Sequence, residues 1–139
     1  MSRPAVENKD PAHAMSALNL DIDADRIAER IAEPETLFVA CLCADWCGTC
    51  REYREGFDRL AAAHPDVCFA WIDIENHADI LDDLDVENFP TILIEDSKTT
   101  RFFGTVLPQA SIVERMLRDL TALPNVNGAP KLRPALATA

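Results

Sequence analysis

Thr36-Leu37-Phe38-Val39-Ala40-Cys41-Leu42-Cys43 runs into Ala44-Asp45-Trp46-Cys47-Gly48-Thr49-Cys50, and the reading of this stretch decides the fold. The first eight residues are a continuous apolar run, as expected of a strand covered on both faces. From about Cys47 to Ala63 the pattern becomes helical, with Tyr53, Phe57, Leu60 and Ala61 on one side. A second apolar run, residues 67–73, reads as another buried strand. Strand, helix and strand in this order imply two parallel strands joined by a right-handed crossover.

Upstream, Asp21 or Asp23 is placed to cap a short helix whose Ile27 and Ile31 stand on one face. Downstream, Ile80, Leu81 and Leu84 mark a short helix in an acidic setting. Residues 90–95 form a third strand, and Asp96-Ser97-Lys98 turns the chain into a fourth, residues 100–104, as an antiparallel hairpin. Ile112, Val113, Met116, Leu117 and Leu120 give the stripe of a final helix, with Ser111 and Glu114 at capping-box spacing. The order α-β-α-β-α-β-β-α predicts an α/β fold: a mixed central sheet flanked by helices. It occupies a single domain over residues 21–123. Residues 1–20 and 124–139 hold five of the nine prolines and read as tails, tied down at most by Leu18, Leu20 or Leu132.

The chain has 139 residues, 48% of them hydrophobic, enough to bury a core. Thirteen basic residues against twenty-four acidic ones leave a net charge of -11. That balance argues against nucleic-acid binding, which needs clustered Lys and Arg, and against docking on an anionic membrane. Seven carboxylates and no Lys or Arg fall between Asp73 and Glu87, which reads as a solvated face that would also favour basic partners. No apolar run approaches the ~20 residues that span a bilayer. The first ten residues lack the apolar segment of a secretory signal, so a reducing, cytoplasmic setting is expected. Five cysteines in such a setting are not expected to form a disulfide framework.

Four of the five cysteines lie within ten residues, and that clustering is where function is to be sought. Cys47 and Cys50, spaced i, i+3 at a helix start, can close or open a small disulfide ring. The unpaired first-turn N–H groups and the positive end of the helix dipole favour a thiolate at Cys47, the attacking sulfur. Cys50, one turn further in, is placed to resolve a mixed disulfide. Gly48 is expected to allow a tight turn and the approach of another chain. Cys41 and Cys43 share one strand face and read first as inert core thiols, with a secondary disulfide or regulatory oxidation as the other reading. Cys68 reads as core. The four clustered thiolates suffice in number for zinc, but their spacing matches neither paired knuckles nor iron–sulfur runs, so no metal is expected. His13, His64 and His77 stand in no motif, and nothing pairs a base with Cys47 for hydrolysis.

Trp46-Cys47-Gly48-Thr49-Cys50, then Phe89-Pro90-Thr91 before a strand, then Gly104, resemble the thioredoxin family over roughly residues 22–123. The resemblance implies a thioredoxin-like fold and a cis bond before Pro90, packed against the CxxC. It also implies that the backbone of Phe89 pairs with an extended substrate segment. Trp46, Gly48, Phe89, Pro90 and Thr91 are thereby the expected substrate-binding residues. Arg51 falls where the family often carries a basic residue. Thr49 replaces the family's usual proline, a position that tunes reduction potential. Cys41 stands at the family's buried acid and Phe69 at its lysine partner, so the proton acceptor for Cys50 is missing or replaced by a thiol. Cys43 occupies a frequent tryptophan position and Glu55 that of a helix-kinking proline.

The expected protein is therefore a cytosolic thiol–disulfide oxidoreductase that reduces protein disulfides through Cys47 and Cys50. It needs no bound cofactor and depends on a separate disulfide reductase or thiol donor for recycling. The alternative is a thioredoxin-fold binding or redox-sensing module without general turnover, in which Cys41, Cys43, Cys47 and Cys50 serve docking, sensing or a metal.

Overall fold

The structure is a computed structural model that describes residues 17–44, 47–77, 89–96 and 98–119, with Leu132, Pro134 and Leu136. In chain order its elements are β1 (Leu18–Asn19), α1 (Leu20–Ile31), β2 (Phe38–Cys43), α2 (Gly48–Ala63), β3 (Cys68–Asp73), β4 (Thr91–Glu95), β5 (Thr100–Thr105) and α3 (Ala110–Arg118). The expected helix around Ile80 to Leu84 lies outside the described residues.

One five-stranded sheet runs in the order β1-β3-β2-β4-β5. β2 pairs in parallel with β3, Phe38 opposite Cys68 and Cys43 opposite Asp73. On its other side β2 pairs antiparallel with β4, and β4 with β5, so the sheet is mixed as expected. The hairpin turn is held by Asp96, whose Oδ1 accepts the N–H groups of Lys98 at 2.8 Å and Thr99 at 2.6 Å.

Every residue of β2 is buried, because helices cover both faces of the sheet. Val39, Cys41 and Cys43 point to one side, into a cluster with Tyr53, Phe57 and Leu60 of α2 and Val113 of α3. Phe38, Ala40 and Leu42 point to the other, against Ile27 and Ile31 of α1. The helix contact on the first side is close. A Cβ added at Gly56 would stand 3.2 Å from the Ala110 Cβ, so the absence of a side chain at 56 sets how near α2 and α3 approach.

Three local expectations are corrected. α1 is capped by Asn19, whose Oδ1 accepts the Asp21 N–H at 2.9 Å, rather than by either aspartate; Asp23 instead accepts the Asn19 N–H at 3.0 Å. The helix begins earlier because Leu18 and Asn19, in the segment read as a tail, pair with Ala70 and Trp71 of β3. α3 begins at Ala110 behind Gln109, which makes no side-chain cap, so Ser111 already lies in the helix. At the other terminus, Leu132 and Leu136 are buried on the α1 side. The Leu132 N–H donates to Glu95 Oε2 at 2.7 Å, giving the buried Glu95 carboxylate a partner.

Candidate active site

The candidate site lies at the C-terminal end of β2, the edge at which open α/β sheets place their sites. Two connections meet there. After Cys43 and Ala44 the chain reaches Cys47, the N-cap of α2, whose N–H donates to Ala44 O at 3.1 Å. Because β4 runs antiparallel to β2, with Thr91 opposite Leu42, the start of β4 comes to the same edge. The Phe89–Pro90 peptide bond is cis. Pro90 is buried and its carbonyl accepts the Val106 N–H at 3.1 Å. Thr91 Oγ1 stands 3.5 Å from Thr105 Oγ1 on β5. Phe89 and Cys47, both partly buried, pack against the same core cluster.

The cysteines are arranged in depth. Cys47 is a free, partly exposed thiol, and no side chain caps the helix at its position. Cys50, one turn into α2, is 1% exposed. Its sulfur is joined in a disulfide to Cys43 at the end of β2, the two Cα atoms 5.8 Å apart, within the usual span of such a bond. Cys43 thus departs from the inert reading. Strand alternation aims it at the first turn of α2, where the inward face of the helix carries Cys50. The shared face of Cys41 and Cys43 was readable from their spacing, but which helix residue met that face was not.

Cys41 lies one step further back on the strand, its Sγ 3.8 Å from Cys43 Sγ. Since Cys43 carries no hydrogen in the disulfide, Cys41 is the donor. Burial pushes the Cys41 thiol up, and the nearby positive charge of Arg54 only partly opposes it. So held, the Cys41 thiol favours its protonated form. The Tyr53 hydroxyl is pushed up too, first by burial and then by Cys41. The Arg54 guanidinium lies 4.8 Å over the Trp71 ring, with its Nε 3.6 Å from Asp58 Oδ1. Neither Tyr53 nor Arg54 was singled out for this role from sequence; only the inward stripe of α2 pointed to Tyr53.

Other expected residues fall as follows. Gly48 is the exposed first residue of α2, and a Cβ there would meet only the Arg51 side chain, at 3.9 Å. The open space expected at Gly48 is present. Cys68 is buried on the opposite, α1 face. Trp46 and most of the acidic stretch lie outside the described residues. Among the described residues, no group of three or more His, Cys, Asp or Glu is arranged to hold a metal. No helix among them is long and apolar enough to cross a membrane.

A central mixed sheet with helices on both faces, and a cysteine-bearing helix start at the same sheet edge as a cis-proline, defines the class of thioredoxin-fold proteins. The thioredoxin family profile matches residues 19–118, and the chain belongs to the thioredoxin family. It is 37% identical over 68 residues to thioredoxin from Gallus gallus, covering 49% of this chain and 65% of that one. Its matched stretch spans about half the length of the curated relatives. Among solved structures, thioredoxin from Trypanosoma brucei brucei superposes with a TM-score of 0.64 at 23% identity, over 84% of this chain and 98% of that one. Thioredoxin f2 in its complex with ferredoxin: thioredoxin reductase gives a TM-score of 0.63 at 14% identity, over 77% and 96%. At these identities the likeness is one of fold.

Proposed function

We propose that this chain is a cytosolic protein-disulfide reductase working through Cys47 and Cys50. The observation that carries the reading is Cys47 itself, a free and accessible thiol at the N-cap of α2, with Cys50 buried one turn behind it. Family membership and fold support a thiol–disulfide oxidoreductase.

In the reduced protein the Cys47 thiolate attacks a substrate disulfide held against Pro90, and one substrate sulfur leaves as a thiolate. An extended substrate segment pairs with the backbone at Phe89, while Gly48 borders its path. Cys50, once free of Cys43, attacks the mixed disulfide at Cys47 and releases the second substrate thiol. The chain is then oxidised by two electrons, and a disulfide reductase or thiol donor restores it. Thioredoxin f2, similar in fold, forms a complex with its reductase, which supports a partner of that kind.

Reduction of insulin disulfides by the full chain, with dithiothreitol as donor, tests the reading. Cys47→Ser should abolish turnover and Cys50→Ser should accumulate mixed disulfides. Turnover retained in Cys47→Ser removes the assigned nucleophile. The Cys43–Cys50 linkage favours a second reading, a redox-sensing module. Absent turnover, with tight capture of one partner, would select it.

A further inference from the structure

We propose that Cys43 is a second, internal resolving thiol, which takes Cys50 from the Cys47–Cys50 disulfide and returns Cys47 to the surface as a free thiol. The proposal rests on the dithiol reading above and extends it by one step. Cys43 Sγ, as thiolate, attacks Cys50 Sγ. The Cys43–Cys50 bond forms, the Cys50–Cys47 bond breaks, and Cys47 leaves as a thiolate that takes up the proton Cys43 has lost. The number of disulfides is unchanged, so no outside oxidant or reductant takes part.

Three observations converge on this step. Cys50 has two candidate partners, Cys47 three residues before it and Cys43 across the helix–strand contact, and the structure closes the bond to Cys43. Both joined sulfurs belong to buried residues, whereas Cys47 is partly exposed, so the exchange carries the oxidising equivalent from an accessible position to a covered one. Finally, Cys41 donates a hydrogen bond to Cys43 Sγ from 3.8 Å, and a donor there stabilises negative charge on Cys43 whenever its bond is open. Cys41 is thereby a positioning residue for Cys43.

The exchange leaves a chain that attacks but does not release. With Cys50 bound to Cys43, a disulfide substrate that reacts with Cys47 stays as a mixed disulfide until an external thiol opens one of the two bonds. The oxidised chain is then a covalent trap for protein disulfides, and the reduced chain a turnover enzyme.

Asp45 makes the test clean, because cleavage on the N-terminal side of aspartate separates Cys41 and Cys43 (residues 25–44) from Cys47 and Cys50 (residues 45–57). The reduced full chain is oxidised with oxidised dithiothreitol, quenched in acid at intervals, alkylated with N-ethylmaleimide, cut and weighed. The internal Cys47–Cys50 disulfide of peptide 45–57 should appear first and decay into a cross-linked pair of peptides with Cys47 alkylated. In Cys43→Ala the cross-link should vanish, the internal disulfide persist and Cys47 become protected from label. An internal disulfide that never decays overturns the proposal while leaving the dithiol reading intact. A cross-link that forms with no internal precursor, and a Cys43→Ala chain that forms no Cys47–Cys50 bond, overturn both. A cross-link surviving in Cys43→Ala assigns the role to Cys41 and overturns it for Cys43.

Discussion

The two faces of the sheet each bury cysteine, with opposite results. On the α1 face, Cys68 lies among Phe38, Leu42, Ile72 and Leu93, and it takes part in no disulfide. On the α2 face, Cys41 and Cys43 are just as buried, yet one bonds Cys50 and the other donates to that bond. Burial therefore does not decide whether a thiol is inert. Distance along the strand does: Cys68 opens β3 at the end away from the site, while Cys43 closes β2 at the helix start, where another sulfur is in reach.

The sharpest break of this comparison in stability is expected from Phe57→Ala. Phe57 is fully buried, with its ring 5.5 Å from Phe69 and 5.9 Å from Trp71. Its truncation should cost ~3–5 kcal/mol in denaturant unfolding. Leu132→Ala on the α1 face should cost about 2–3 kcal/mol, less because fewer buried carbons are removed. Equal costs for the two variants would show that the α1 face tolerates a cavity less well than the α2 face. Cys68→Ala should cost about 1 kcal/mol and leave insulin reduction unchanged; a loss of turnover would end the claim that this face is chemically silent.

The smallest effect is expected at the hairpin. Partial burial works to raise the Asp96 carboxyl, but the N–H groups of Thr99 and Lys98, the Thr99 hydroxyl and Arg101 outweigh it and hold it below the usual range. A carboxyl lowered by folding contributes stability that is complete above its unfolded value, about 3.9, and is lost as pH falls through the lower folded value. Asp96→Asn should therefore flatten the acid limb of the stability curve below about pH 4 by a small amount, since the side chain is 37% exposed. An unchanged acid limb would show that the turn holds without the charge.

Much of this molecule was legible because long apolar runs and helical stripes are read directly from burial. β2, α2, β3, β4 and β5 fall within two residues of their expected positions. The cis bond at Pro90 was carried by resemblance, since nothing local to Phe89-Pro90 sets its isomer. What escaped was decided by single contacts. β1 is two residues long and has no period to read. Asn19 outcompeted its aspartate neighbours as a cap because the strand ended there. Cys43 and Cys50 are seven residues apart, and their meeting depends on how α2 leaves the sheet edge.

That seven-residue separation is also a ruler. At about 3.5 Å per residue, a chain pulled from both ends would hide roughly 25 Å of contour behind a Cys43–Cys50 clasp and only about 10 Å behind a Cys47–Cys50 one. The partner Cys50 has chosen is thus written into the extended length of the molecule, and stretching single chains in an optical trap would report it one molecule at a time.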